Sequence, residues 1–442
     1  MLDHVFYSWC MERERRVCRT TVRGSSFNPK SSTKLACCGT TSPLVSLFSH
    51  ESVCMSWALP IPADPRAKMR RRYTVLHTES SVGWGGQEMR ILLEAGAMQE
   101  RGHRVLIACA PDCRLAECAR AAGLGVAGVP FRRALDWRAV RSVRRLLRDE
   151  RVDIVNTHSF IDGWVGAVAA RLASGVKVIR TRHLANPVSN RPLTRWLYTR
   201  LTDALVTTGE ALRRRLIQEN RLDPEKIFSI PTAVDLRRFD PAIHPRSGLR
   251  RELGIPAQAP LIGTIAMLRG MKGHDVFLEA AAIARAHIPE ARFLIVGDIP
   301  TASPVKAELH ERADRLGIQK NVIFAGYRND IPKVLADLDC VVLASTRSEG
   351  LPQVVVQALA MARPVVATDV GAISELIQNR ITGILVAPND PSALAEGIVF
   401  VMREPEQAAQ WAQAGRECVR EGYNLPHMAD QVERVYQWLE AR

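Results

Sequence analysis

The segment 345–357, Ser345-Thr-Arg-Ser-Glu349-Gly350-Leu351-Pro352-Gln353-Val-Val-Val-Gln357, brings a carboxylate, a glycine and a helix start together. It follows an apolar run at 340–343. Pro352 suits the first turn of a helix, and the apolar spacing after it continues one. A helix start leaves backbone N–H groups without intrahelical partners and carries partial positive charge. Gly350 and Leu351 are therefore expected to offer N–H groups to a phosphate. Glu349 then sits at the edge of an anion site, where a carboxylate is costly unless it accepts hydrogen bonds from ligand hydroxyls. Phosphate and hydroxyls together point to a sugar. Gln357 lies about two turns further along.

Two glycine-containing loops add to this grouping. Gly263-Thr-Ile-Ala-Met-Leu-Arg269-Gly270-Met-Lys272-Gly273 follows an apolar run and carries two cations. Arg as a fork and Lys as a point charge can hold a pyrophosphate between them. Two solvated loop cations are the alternative. Earlier in the chain, Ser80-Ser-Val-Gly83-Trp-Gly85-Gly86-Gln87-Glu88 links an expected strand to an expected helix. Small residues there let backbone N–H groups approach an anion, although a tight turn without a ligand explains them equally well. The spacing is not that of a dinucleotide fingerprint. Asp337-Leu-Asp339 has the form of a metal-binding pair, but no further ligands cluster with it. It is read as a cap and turn, and no metal or other cofactor is expected.

These loops need elements to hold them. From residue 73, short apolar runs alternate with longer amphipathic ones. Strands are expected at 73–77, 104–108, 154–157, 176–180 and 204–207, with helices such as 87–101 and 136–149 between them. The alternation then restarts, with strands at 262–266, 292–296, 322–324, 340–343, 364–368 and 384–386, and helices at 273–286, 304–316 and 351–361. Such alternation describes parallel, doubly wound sheets. Turn residues at 230–241 place a domain boundary near 240. Residues 69–240 form one expected domain and 241–423 the other; a closing helix at 428–439, within 424–442, is expected to join the first. In open α/β sheets ligands bind beyond the carboxyl ends of the strands, where all the segments above lie. Gly326-Tyr327-Arg328 follows another expected strand and is a candidate for contacting a base.

Residues 1–68 show no sustained period and are read as a disordered or non-native extension, with Met69 as a sensible start. Half of the ten cysteines (Cys10, Cys18, Cys37, Cys38, Cys54) fall there. Cys109, Cys113 and Cys118 lack the spacing of a zinc site, so reduced thiols are expected. No apolar run is long enough to span a bilayer, and no signal peptide is evident. A cytoplasmic location follows as an expectation. The net charge of +14 is concentrated in residues 69–240, which hold 30 Lys/Arg against 18 Asp/Glu. Arg132, Arg133, Arg138, Arg141, Arg144, Arg145 and Arg148 surround Trp137, and Trp196 to Tyr198 lie among further arginines. Basic faces with aromatics can seat on an anionic membrane. No nucleic-acid recognition module accompanies the charge, so nucleic acid is not an expected partner.

Taken together, the residues from about 70 to 442 resemble the retaining glycosyltransferases of family 4. The resemblance rests on Glu349-Gly350-Leu351-Pro352, on Pro364-Val-Val-Ala-Thr-Asp-Val-Gly371-Ala-Ile-Ser-Glu375, and on Val234-Asp235 with Phe239-Asp-Pro241. It implies a GT-B fold, two Rossmann-like doubly wound α/β domains facing across a cleft. It also implies transfer of a hexosyl group, with retention, from a nucleotide-sugar donor to a glycan or lipid-linked acceptor in lipopolysaccharide or other cell-surface glycan synthesis. By the same resemblance Glu349 contacts the donor sugar, Gly350 and Leu351 bind the pyrophosphate, and Arg269 and Lys272 neutralise it. Gly85 and Gly86 close on it from the first domain. His158, in Asn156-Thr-His158-Ser159, matches the cleft histidine beside the reacting sugar.

Two positions depart from the family's pattern. The family's second glutamate, which binds ribose hydroxyls, is Gln357 here, and an amide can still accept from one hydroxyl and donate to another. Arg269 stands only three residues before Lys272, so Lys272 is the firmer phosphate ligand. Gln357 also removes the carboxylate pair that a glycosidase would require. A non-catalytic nucleotide-sugar binder and a GT-B nucleotide-sugar epimerase are the alternatives. Association with the inner face of the membrane is the expectation drawn from the charge.

Overall fold

The computed structural model describes residues 71–184, 186–246, 248–298, 304–347 and 349–442. The extension read at 1–68 lies outside them.

Seven parallel strands build the first lobe: β1 Thr74–Thr78, β2 Arg104–Cys109, β3 Gly125–Gly128, β4 Ile154–Thr157, β5 Lys177–Arg182, β6 Ala204–Thr207 and β7 Ile227–Ser229. Their order is β3-β2-β1-β4-β5-β6-β7. Helices α1 Gly86–Glu100, α2 Arg114–Ala121, α3 Trp137–Asp149, α4 Phe160–Ala173, α5 Pro192–Trp196 and α6 Glu210–Asn220 connect them. The second lobe has six parallel strands: β8 Leu261–Ile265, β9 Arg292–Val296, β10 Val322–Gly326, β11 Cys340–Leu343, β12 Val365–Thr368 and β13 Ile384–Val386, in the order β10-β9-β8-β11-β12-β13. Here α7 Gly248–Glu252, α8 His274–His287, α9 Val305–Arg315, α10 Ile331–Asp337, α11 Gln353–Ala360, α12 Pro391–Arg403 and α13 Pro405–Gly422 do the connecting. Runs such as Val341-Val342-Leu343 and Val365-Val366-Ala367 are buried throughout, as a sheet covered on both faces requires. In both sheets the strand order reverses beside the first strand, at β1/β4 and β8/β11, and loops diverge there to leave a crevice.

The chain passes between lobes twice, side by side. Residue 234 bridges residue 424 in parallel, and Val234 N–H donates to Tyr423 O at 2.9 Å. Beyond that crossing, α14 Leu425–Glu440 returns to the first lobe. Its Met428, Val432, Tyr436 and Leu439 pack with Ile91, Met98 and Ile107 in one core cluster. Polar ties follow the same path: Arg101 to Asp430 and Glu433, at 2.7 and 2.8 Å, and Tyr73 Oη to Glu440 at 2.6 Å.

One expected boundary shifts in a way that matters. The helix after β11 starts at Gln353, with Pro352 as its cap in an extended conformation. The residue before a proline is driven out of the helical region, so Leu351 cannot open the helix. Gly350 and Leu351 form the approach to it, and the unpaired N–H groups of its first turn begin at Gln353.

Candidate active site

A cavity of about 910 Å³ lies between the carboxyl ends of the two sheets. Its second-lobe wall includes Lys272, Glu349, Gly350, Leu351 and Gln357, and its first-lobe wall Gly85, Gly86, Gln87 and His183.

Glu349 anchors the second-lobe side. The residue is 4% exposed, and Oε1 accepts from Lys272 Nζ at 2.5 Å and from Ser345 Oγ at 2.6 Å. Gly371 makes this placement possible. Its φ is +66°, and a Cβ there would stand 1.8 Å from the Glu349 carbonyl oxygen. Only glycine accommodates both the dihedral and the contact. The ammonium, the carboxylate and the start of α11 thus share one wall, so the wall can meet phosphate and hydroxyl groups at once. Gln357, 7% exposed, lies further along the same helix at the cavity surface.

Gly85 and Gly86 press toward the opposite lobe. Cβ atoms built on them would lie 3.2 Å from Met267 Sδ and 3.8 Å from Gln353 Cβ. The Gly85 N–H already donates to Glu88 Oε2 at 2.8 Å, so Gly86 carries the free approach. Tyr327 and Arg328 both border the cavity. Tyr327 is 47% exposed, with the Arg114 guanidinium 5.6 Å from the centre of its ring. Arg328 is already paired: Glu252 and Asp330 take its guanidinium in four hydrogen bonds between 2.6 and 2.9 Å. Glu252 and Asp330, through those bonds, raise its pKa further.

Two nominated residues stand apart. Arg269 is exposed and does not line the cavity; its guanidinium reaches toward Gly83, where a Cβ would lie 3.9 Å from Nη2. Arg269 is the extended residue before the 3-10 turn Gly270–Lys272, with φ −129° and ψ 143°, whereas Lys272 closes that turn. His158, only 5% exposed, sits behind the wall. Its Nδ1 lies 2.9 Å from Nε2 of His183, which does face the cavity. His183 follows β5 as His158 follows β4, so the strand-end rule that selected one also covers the other. Arg114, Gln87 and Gln353 were missed as well: the first two stand near helix starts after β2 and β1, and Gln353 opens α11.

The lobes are in close contact. Glu375, beyond β12, accepts from the backbone N–H groups of Glu210 and Ala211 at 2.9 and 2.6 Å and so caps α6 of the other lobe. Gln353 donates to Ala233 O at 2.9 Å, and Arg114 to Asn329 at 3.2 Å. The acidic pair at 337 and 339 is engaged elsewhere. Asp337 accepts from the Leu249 and Arg250 N–H groups, and Asp339 pairs with Arg250 at 2.7 Å. Among the described residues no three His, Cys, Asp or Glu side chains group as a metal site.

Burial lowers the pKa of His77, of His158 and of His183; for His158 the neighbouring His183 and His77 add to the effect, and for His183 the guanidiniums of Arg90 and Arg182 do. The rings are therefore neutral in the folded protein at neutral pH. Below pH ~6.5 the unfolded chain takes up protons on such rings that the folded chain refuses, so stability falls on acidification. The slope is set by the protons that the buried His77 and His158 refuse in the folded state, at most about 1.4 kcal/mol per pH unit for each ring. Urea unfolding at pH 7.5, 6.5 and 5.5 reads this slope, and His158→Gln should remove about half of it; an unchanged slope would place the acid sensitivity elsewhere.

With this geometry in place, comparison with known proteins gives a consistent class. Residues 84–238 match the family model "Glycosyltransferase Family 4", and residues 246–418 match "Glycosyl transferases group 1". The chain is 28% identical over 311 residues to the UDP-Gal:alpha-D-GlcNAc-diphosphoundecaprenol alpha-1,3-galactosyltransferase of Escherichia coli, across 68% of this chain and 79% of that one. It is also 28% identical over 307 residues to the putative glycosyltransferase EpsD of Bacillus subtilis, covering 66% and 78%. A glycosyltransferase structure from Rickettsia africae superposes with a TM-score of 0.76 at 22% identity, over 83% of this chain and 98% of that one. Anabaena HepE, solved with UDP-glucose, superposes with a TM-score of 0.74 at 22% identity, over 83% and 100%. The fold is GT-B. The chain is a glycosyltransferase of the family 4 type.

Proposed function

We propose that this enzyme transfers a hexosyl group, with retention, from a UDP-sugar to a lipid-linked glycan in the assembly of a cell-surface polysaccharide or lipopolysaccharide. The observation that carries the reading is the Lys272–Glu349–Ser345 cluster beside the start of α11, facing Gly86 across the cleft. UDP is favoured because the E. coli relative uses UDP-Gal and HepE was solved with UDP-glucose. The E. coli relative's diphosphoundecaprenol acceptor favours the lipid link.

In this mechanism the bond from the anomeric carbon to the β-phosphate oxygen breaks while the acceptor oxygen bonds the same face. The acceptor's proton passes to the leaving phosphate oxygen. Lys272 stabilises the charge developing on that phosphate, a role in which preorganised electrostatics contributes most. Glu349 accepts from sugar hydroxyls and needs no nucleophilic role. Arg269 reaches the phosphate only if its exposed side chain swings inward. No metal is required in this scheme. A panel of nucleotide-sugars assayed for hydrolysis and transfer tests the donor: turnover with a UDP-hexose supports the reading, and turnover only with another nucleotide defeats it. Binding of UDP-sugars without any turnover would favour the non-catalytic alternative.

Gln357 offers one graded test. A carboxylate accepts hydroxyl hydrogen bonds more strongly than an amide, by about 1 kcal/mol. Gln357→Glu should therefore tighten UDP roughly fivefold, measured by calorimetry; unchanged affinity would remove position 357 from the ribose site.

The acceptor reading extends to an anionic membrane surface. Helix α3 buries Ala139, Val140, Val143 and Leu147 and turns Arg138, Arg141, Arg145 and Arg148 outward. Trp137 is 65% exposed at its start, and Leu193 and Trp196 of α5 are 69% and 47% exposed. Among the described residues no helix is long and apolar enough to cross a membrane. The protein should float with vesicles containing anionic lipid at low salt and sediment at high salt; no flotation at low salt would reject the surface.

A further inference from the structure

Three histidines run in file from the interior of the first lobe to the cavity. His77 Nδ1 lies 2.9 Å from His158 Nε2, and His158 Nδ1 lies 2.9 Å from His183 Nε2. The first two rings stack, with centroids 5.2 Å apart and planes 10° from parallel; the second pair is 5.1 Å apart and tilted by 38°. They arise from three adjacent elements: His77 within β1, His158 just after β4 and His183 just after β5.

A neutral imidazole carries one N–H and one lone pair. In such a file each contact needs one donor and one acceptor, so the tautomer of one ring dictates the next. His77 Nε2 ends the file: it is buried and has no partner among the described residues. A buried N–H left unpaired is rarer and costlier than an unpaired acceptor. The proton of His77 therefore belongs on Nδ1, where it is donated to His158 Nε2. The proton of His158 is then on Nδ1 and is donated to His183 Nε2. His183, accepting at Nε2, holds its own proton on Nδ1. No described residue bonds that atom, and His183 lines the cavity beside Gly350.

We propose that His183, rather than His158, is the histidine that meets the substrate, that it presents Nδ1–H to a sugar or phosphate oxygen, and that His77 and His158 are positioning residues that fix this tautomer. The assignment uses the cavity as the transfer site and assigns no proton transfer to the rings. It explains why three rings that burial keeps neutral are lined up toward the cleft: a fixed neutral donor is available at the moment charge develops, without reorganisation.

Two readouts test it on the full chain. Long-range 15N–1H imidazole spectra, assigned with His183→Asn as the blank, should show His183 as the Nδ1–H tautomer in the absence of any substrate. The Nε2–H tautomer, or a mixture, overturns the proposal. The second readout uses side-chain shape. An asparagine amide nitrogen falls near Nδ1 and a glutamine nitrogen near Nε2. His183→Asn should keep kcat within about tenfold of the wild type, whereas His183→Gln and His183→Ala should lose roughly 10- to 100-fold. His158→Gln should match His183→Ala, and the double variant should be no worse than either. Normal turnover in His183→Ala, or a better His183→Gln than His183→Asn, overturns it. Should His158→Gln fail to fold, the His183 variants still decide, since that residue is partly exposed. Should no nucleotide-sugar be turned over by the wild type, the donor reading fails, and the tautomer spectrum judges this proposal alone.

Discussion

Lys272→Ala should lower kcat by about two to three orders of magnitude and, in the empty protein, lower stability as well. The two effects have separate origins. Turnover suffers because the ammonium is the only side-chain cation of the 263–273 loop that lines the cavity. Removing one preorganised group aimed at developing charge costs about 3–4 kcal/mol in the barrier. Stability suffers because Glu349, with a side chain 5% exposed, loses the cation 2.5 Å from its Oε1. Breaking a fully buried pair costs about 3–5 kcal/mol. Lys272 is 22% exposed, so water recovers part of that, and about 2 kcal/mol is expected. The double variant Lys272→Ala with Glu349→Gln separates the two. It should regain most of the melting temperature and none of the turnover. Recovery of turnover would remove Lys272 from phosphate stabilisation, and near-normal turnover in the single variant would do so directly.

Gly350→Ala should be nearly as damaging to turnover, through the meeting of the lobes. A Cβ on Gly350 would stand 2.3 Å from the His183 carbonyl oxygen and 2.5 Å from Thr208 Oγ1, both on the first lobe. Thr208 can rotate; the backbone carbonyl cannot. The lobes must therefore separate by about 1 Å at this point to restore an ordinary contact. A misplacement of that size at a reacting centre costs about 100-fold. The methyl enters a boundary rather than the middle of a core, so unfolding should shift little. Small-angle scattering should show a larger radius of gyration for the variant, and a UDP-sugar should narrow the difference. An unchanged radius with full turnover would mean that this contact is not made during the reaction.

The sequence was most readable where one lobe alone decides the outcome. Apolar runs such as Cys340–Leu343 and Arg292–Val296 are buried on both faces, and their bounds match the strands observed. Strands β3 and β7 escaped notice for local reasons. Gly125-Val-Ala-Gly128 has two glycines in four residues, and Ile227–Ser229 has three residues in all; both occupy sheet edges, where few neighbours enforce a pattern. Helix α11 starts two residues after the expected Leu351 because Pro352 bars the residue before it from the helical region. The site was legible in its loops and obscure in its cross-lobe contacts. Glu349 and Lys272 stand 77 positions apart and meet through sheet topology that sequence spacing does not encode. The pairing of Arg328 with Glu252, and the cap that Glu375 places on α6, depend likewise on elements distant in the chain. His183 carried the same strand-end signal as His158, and only the packing of β1, β4 and β5 distinguishes the ring in front from the ring behind.

The return of α14 to the first lobe has a bearing on how the molecule is made. The core around Ile91, Met98 and Ile107 is completed by Val432, Tyr436 and Leu439, which the ribosome adds only after every strand of the second lobe. The first lobe therefore waits, with the part of its core beside α1 that α14 will cover still exposed, throughout synthesis of the second. Domains ordinarily fold as units in the order they emerge; here the earlier lobe is finished last, and the last helix works as a closing staple on a nascent chain that has carried exposed apolar surface for most of its translation.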